Sequence, residues 1–177
     1  MEAIVQRLEV VAGRLEAAEV RRRAEVLRAA RSFLDVSERI GGEVLASSRV
    51  FFQAFETEAA LLETFDQCKS APSSDALQEM VSATAEALAA VQAVADAGSR
   101  GAYADHNKTL AEASQALTWV VYTGPSCGLR PPPVHVDESW SAAEFYSNKV
   151  LKAFRAKDPA HVEWVSGLKK LMQTLRE

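Results

Sequence analysis

The sequence predicts an all-α protein: an antiparallel six-helix bundle preceded by a short, coiled-coil-like N-terminal helical segment. Three observations carry this. Apolar residues recur at three- and four-residue steps almost throughout, and no period-two alternation is long enough for a strand. All six prolines and six of the eight glycines stand between the periodic stretches, where helices begin, end or break. With 177 residues the chain can bury one sizeable core but hardly two.

The elements follow in order. Ile4, Leu8, Val11, Leu15 and Ala18 alternate steps of four and three, a heptad seam about two and a half heptads long. This seam either packs on its own domain or joins copies of the chain, and residues 1–20 are set apart from a bundle at 21–177. Val26, Leu27, Ala30, Phe33, Leu34, Ser37 and Ile40 form the apolar face of the next stretch. Gly41-Gly42 breaks it, because paired glycines remove both helix propensity and side-chain packing. A long helix is expected from Glu43 to about Lys69, with Val44, Ser47, Phe51, Phe55, Ala59, Leu62 and Phe65 on one side. After the loop Ala71-Pro72-Ser73-Ser74, Ser74 is expected to cap an alanine-rich helix reaching Ala97. Gly98-Ser99-Arg100-Gly101 turns the chain into a helix from about Tyr103 to Tyr122. Pro131-Pro132-Pro133 reads as a stiff, extended crossover. The last two helices are expected near Glu138 and at Asp158-Pro159, where an acceptor at the N-cap precedes proline at the first helical position.

Composition narrows the function. Residues 1–31 carry seven Arg against five Glu, residues 32–99 three basic against eleven acidic groups, and residues 100–177 ten basic against eight acidic. The acidic middle argues against nucleic acid as a main partner and is compatible with a protein partner. No apolar run approaches the roughly 20 residues needed to span a bilayer as a helix, so an integral membrane protein is not expected. The charged start (Glu2, Arg7, Glu9, Arg14) does not read as a secretory signal, and two cysteines cannot build a disulfide framework, so the cytosol is the expected compartment.

Catalytic constellations are missing from the pattern. His106, His135 and His161 stand in no metal-binding spacing, no phosphate loop or nucleophile elbow occurs, and no metal or other cofactor is expected. Cys127 in Ser126-Cys127-Gly128 has no identifiable base. Glu56, Glu58 and Glu63 read as a solvated face and His161 as a packing or capping residue near Trp164. The chain is not expected to be an enzyme.

Several strings are more specific. Arg7-Leu8-Glu9 and Arg14-Leu15-Glu16 repeat one pattern seven residues apart, and Glu38-Arg39-Ile40-Gly41-Gly42-Glu43-Val44 follows at a helix junction. His106, Glu112 and the run Gln115 to Val120 come next, then Ala143-Glu144-Phe145-Tyr146-Ser147-Asn148-Lys149-Val150-Leu151-Lys152, then His161-Val162-Glu163-Trp164-Val165. In this order they resemble the N-terminal region of cyclase-associated protein, over nearly the whole chain. The resemblance implies an oligomerising segment followed by a helical folded domain that binds actin at filament pointed ends and works with cofilin in severing and subunit loss. It also implies, as the alternative, an adaptor that binds adenylyl cyclase through the Arg-Leu-Glu segment. Two departures stand out. The seam meets the bundle through Arg21-Arg22-Arg23 without a long linker, and the sequence stops at Glu177, around where relatives continue the last helix into a histidine-threonine-glycine segment. No actin-monomer motif or β-rich domain occurs in these residues, and a shortened chain and a naturally short homologue both fit.

The expected actin-binding residues, for bare or cofilin-decorated filaments, form two groups. One is the turn and helix start at Arg100, Asp105, His106, Asn107 and Lys108. The other is Tyr146, Asn148, Lys149, Lys152 and Arg155, of which the three cations share a helix face at steps of three. Phe145, Trp119 and Trp164 are expected mainly in the core. Oligomerisation or cyclase binding is expected of Leu8, Val11 and Leu15, flanked by Arg7, Glu9, Arg14 and Glu16. The expected compartment is the cytoplasm, on the actin cytoskeleton.

Overall fold

The computed structural model describes residues 2–68, 70 and 72–177, with the backbone alone for Glu2 and Ala3. The expected helix end at Lys69 and loop start at Ala71 lie outside these residues. Six α-helices run in order: α1 Glu2–Ile40, α2 Gly42–Asp66, α3 Ser74–Ala97, α4 Ala104–Ser114, α5 Pro132–Phe154 and α6 Pro159–Arg176, with a 3-10 segment at Gln115–Val121 after α4. No strand occurs among the described residues. Each helix packs on the next, and α6 returns to α1, so the bundle closes into a ring.

The core forms where apolar stripes converge. Trp164 is fully buried against Phe33, ring centroids 5.3 Å apart, and Phe33 meets Phe51 edge-on at 5.8 Å. Leu110, Leu117, Leu168 and Leu171 complete the interior. Each such side chain taken out of water contributes about 1.5–3 kcal/mol. The Trp164 indole N–H donates to Ser48 Oγ at 3.3 Å, which satisfies the one polar atom that burial would otherwise strand.

The expected seam and first bundle stretch are one unbroken helix, α1, and Ile4 to Val20 project from the bundle with every side chain exposed. Burial begins at Arg22 and deepens at Ala30, Phe33 and Leu34. Gly41 and Gly42 take φ of 71° and 52°, left-handed values that let the chain reverse into α2 within one residue.

Three expected boundaries are corrected. Ser73, not Ser74, caps α3, its Oγ accepting from Ala76 N at 3.3 Å. The helix expected to reach Tyr122 tightens to 3-10 geometry from Gln115. Only Pro131 of the three prolines stays extended; Pro132 and Pro133 form the first turn of α5, where a missing N–H costs nothing. Asp158 caps α6 as expected, with Oδ1 accepting from Ala160 N at 2.9 Å ahead of Pro159.

Candidate functional site

The turn after α3 and the start of α4 place the first group of expected site residues, and they divide. Arg100 is exposed, and Asp105 and Lys108 are half-buried at the surface. His106 and Asn107 point inward and are 0% and 2% exposed, so the expectation that they face a partner is corrected. The physical reason is helical phase: His106, Leu110, Ala113 and Leu117 share one apolar stripe, and Asn107 lies along the adjoining one with Ala111 and Ser114. Asn107 Oδ1 accepts from Ser47 Oγ at 2.6 Å and its Nδ2 donates to Glu43 Oε1 at 3.2 Å, which pins α4 to the start of α2.

His106 Nε2 lies 2.8 Å from His161 Nδ1, and Tyr103, Phe154 and Trp164 surround the pair. Burial, and then the neighbouring His161, hold His106 down at about 3; burial also lowers His161, against the opposing pull of Asp158. Both rings are therefore neutral at physiological pH. Among the described residues no group of three or more His, Cys, Asp or Glu side chains could hold a metal ion.

The second group lies on α5, whose buried face is Val136, Ser139, Ala143, Ser147 and Val150. Phe145 is two residues from Ala143, about 200° around a helix, and stands 61% exposed rather than in the expected core. Trp164 meets the core expectation, whereas Trp119 is only half-buried. Phe145 and Tyr146 meet edge to face at 5.1 Å, and Lys149 Nζ sits 4.5 Å from the Phe145 ring centre and 4.9 Å from that of Tyr146. Lys149 Nζ also lies 3.9 Å from Asp105 Oδ1 on α4, so the two expected groups meet at this point. Asn148 and Lys152 are exposed along the same helix, and Arg155, exposed as well, stands just past its C-terminal end. Lys152 and Arg155 make no ion pair among the described residues, whereas Lys108 pairs with Asp96 at 3.7 Å.

The residues expected to oligomerise (Arg7, Leu8, Glu9, Val11, Arg14, Leu15 and Glu16) are all exposed on the projecting part of α1. Leu8 and Leu15 are 63% and 61% exposed. Glu58 reverses its expectation: it is 4% exposed, and burial raises its carboxyl to about 8 against a weaker opposing pull from the Trp119 indole. The signal was present, since Glu58 falls in phase with Phe51, Phe55, Leu62 and Phe65. Glu56 and Glu63 remain at the surface as expected.

These features define a class: a ring-closed helical bundle with a projecting helix that bears an exposed apolar stripe, and a cation–aromatic cluster at the surface. A family model described as CAP, N-terminal domain, matches residues 24–177. Cyclase-associated protein 1 of Arabidopsis thaliana is 37% identical over 145 residues, covering 81% of this chain and 30% of that protein. Adenylyl cyclase-associated protein 1 of Mus musculus is 32% identical over 133 residues, covering 75% of this chain and 27% of that protein. A crystal structure of the N-terminal domain of CAP, described as indicating variable oligomerisation, superimposes with a TM-score of 0.76 at 27% identity, covering 90% of this chain and 85% of that one. The corresponding domain from Dictyostelium discoideum gives a TM-score of 0.75 at 26% identity, covering 87% of this chain and 86% of that one. This chain belongs to the cyclase-associated protein family. It spans less than a third of the length of those two relatives.

Proposed function

We propose that this chain binds actin, bare or cofilin-decorated, through the surface around Lys149, and that it acts with cofilin in filament severing and pointed-end subunit loss. The observation that carries this is the surface cluster of exposed Phe145 and Lys149 with half-buried Tyr146, beside Asp105, on a chain of this family. Interfaces draw most of their binding energy from a few aromatic and cationic anchors, and a largely exposed phenylalanine under a lysine is such an anchor. Lys152 and Arg155 extend the positive edge, and Arg100 and Lys108 lie on the α4 side. Residues 1–20 act as a separate oligomerising segment that multiplies the copies at one filament end and raises their effective concentration. The site of action is the cytoplasmic actin cytoskeleton.

A second reading rests on the exposed apolar side of residues 4–20: a helix of this kind can dock in a groove of adenylyl cyclase and make the chain an adaptor. The test that separates them reverses Lys149 and Lys152 to Glu and measures co-sedimentation with actin filaments. Weakened pelleting with unchanged helicity supports the actin reading. Full pelleting by the folded double variant removes the patch from it.

A further inference from the structure

Phe145, Lys149 and Lys152 stand at steps of four and three on α5, on the side turned away from its buried face. The cations around Phe145 are not equivalent. Lys149 is held from three sides: its Nζ lies 3.9 Å from Asp105 Oδ1, 4.5 Å from the Phe145 ring centre and 4.9 Å from that of Tyr146. On the flank opposite Tyr146, Glu144 Oε1 lies 3.1 Å from Lys169 Nζ. Lys152, one turn beyond Lys149, is exposed and makes no ion pair among the described residues, and the same holds for Arg155 just past the helix end. The charge that Lys149 would offer a partner is thus largely cancelled by Asp105, whereas Lys152 and Arg155 keep theirs.

Lys149 therefore works on its neighbours. Tethered to α4 through Asp105, its ammonium lies over both rings and holds Phe145 and Tyr146 edge to face at 5.1 Å. We propose that Phe145 is a knob preset by Lys149 and Asp105, and that the actin filament receives it in an apolar socket whose rim carries carboxylates for Lys152 and Arg155. This rests on the reading that the chain binds actin through this surface, and it adds the chemistry of the surface that it meets. An anchor ring contributes most when a pocket takes it out of water, and a ring ordered in advance loses less freedom on binding. Unpaired cations one and two turns from the knob call for opposite charge around the socket. A purely acidic partner surface would leave Phe145 in water, and a purely apolar one would strand both cations.

The test is co-sedimentation of the full chain with actin filaments at rising potassium chloride, with circular dichroism checking the fold of each variant. Wild-type binding is expected to weaken as salt rises, because exposed charges are screened. Phe145→Ala is expected to weaken binding about 30-fold and to leave the salt dependence as it was, the loss of an apolar anchor. Lys152→Met is expected to weaken binding about threefold at low salt and to flatten the salt dependence. Lys149→Met with Asp105→Asn removes the positioning pair at constant net charge, and is expected to weaken binding on the order of fivefold with the salt dependence unchanged. A flattened salt dependence in that double variant would make Lys149 a contact cation and overturn its positioning role. Phe145→Ala that pellets like the wild type would overturn the socket, and Lys152→Met with an unchanged salt dependence would overturn its acidic rim. A folded wild-type chain that pellets at no salt concentration would instead remove the actin reading underneath.

Discussion

His106 Nε2 and His161 Nδ1 lie 2.8 Å apart in the core, 55 residues apart in sequence, and hold α4 to the first turn of α6. One ring donates and the other accepts. The tautomer in which His106 Nε2–H donates leaves only an acceptor, His106 Nδ1, without a partner, the lower-cost arrangement for a buried group. Both rings are neutral in the fold and bind protons more readily once unfolded. Their contribution is therefore complete above an unfolded pKa of about 6.5 and is lost as pH falls towards the value of about 3 held by His106. Ring chemical shifts of His106 are expected to stay constant down to about pH 4, and titration near pH 6 would contradict the pairing.

Glu58 acts with the opposite sign. Its carboxyl is held at about 8 in the fold, above the ordinary 4.5, so the native state binds the extra proton and stability falls as pH rises from 4.5 towards 8. Each unit of that window is worth about 1.4 kcal/mol. Together with the histidines this places the stability plateau between about pH 4.5 and 6.5. Glu58→Gln is expected to extend the plateau to the alkaline side, read as a higher Tm than the parent at pH 9 and little difference at pH 5. Equal alkaline sensitivity of the two proteins would show that Glu58 is not the group responsible.

Phe145 stabilises the fold little, since most of its ring is in water. Phe145→Ala should change stability by less than about 0.5 kcal/mol, as surface substitutions do, and should weaken actin binding by about 2 kcal/mol if the ring is an interface anchor. Thermal melts and filament co-sedimentation on one preparation separate the two quantities. A large fall in Tm with unaltered binding would make Phe145 a structural residue.

Gly98 is held small by its neighbours. A Cβ there would lie 2.2 Å from Asn107 Nδ2 and 3.1 Å from Glu43 Oε1, and would break the bond between them. Gly98→Ala is expected to cost about 1–3 kcal/mol, the usual range for forced overpacking. Gly101→Ala is the control, because its nearest neighbours stand 3.4 Å away. Equal melting temperatures for the two variants would contradict the packing described for Asn107.

Much of the fold was legible in local pattern. Every residue expected on the α1 face from Val26 to Ile40 is buried or half-buried, and the breaks at Gly41-Gly42 and Asp158-Pro159 fall where backbone chemistry puts them. The site was less legible for two reasons. Polar type outweighed helical phase at Glu58, His106 and Asn107, each of which lies on or beside an apolar stripe and is buried there. Aromatic type outweighed phase at Phe145, which lies opposite the buried face of α5. The meeting of Lys149 with Asp105, and of His106 with His161, is tertiary and has no local signature.

Single actin filaments followed by fluorescence microscopy with cofilin read the proposed activity itself, through the rate of pointed-end shortening as this chain is added. A cofilin-dependent acceleration is expected, reduced strongly by Lys149→Glu with Lys152→Glu. A folded wild-type chain that leaves the shortening rate unchanged would contradict it.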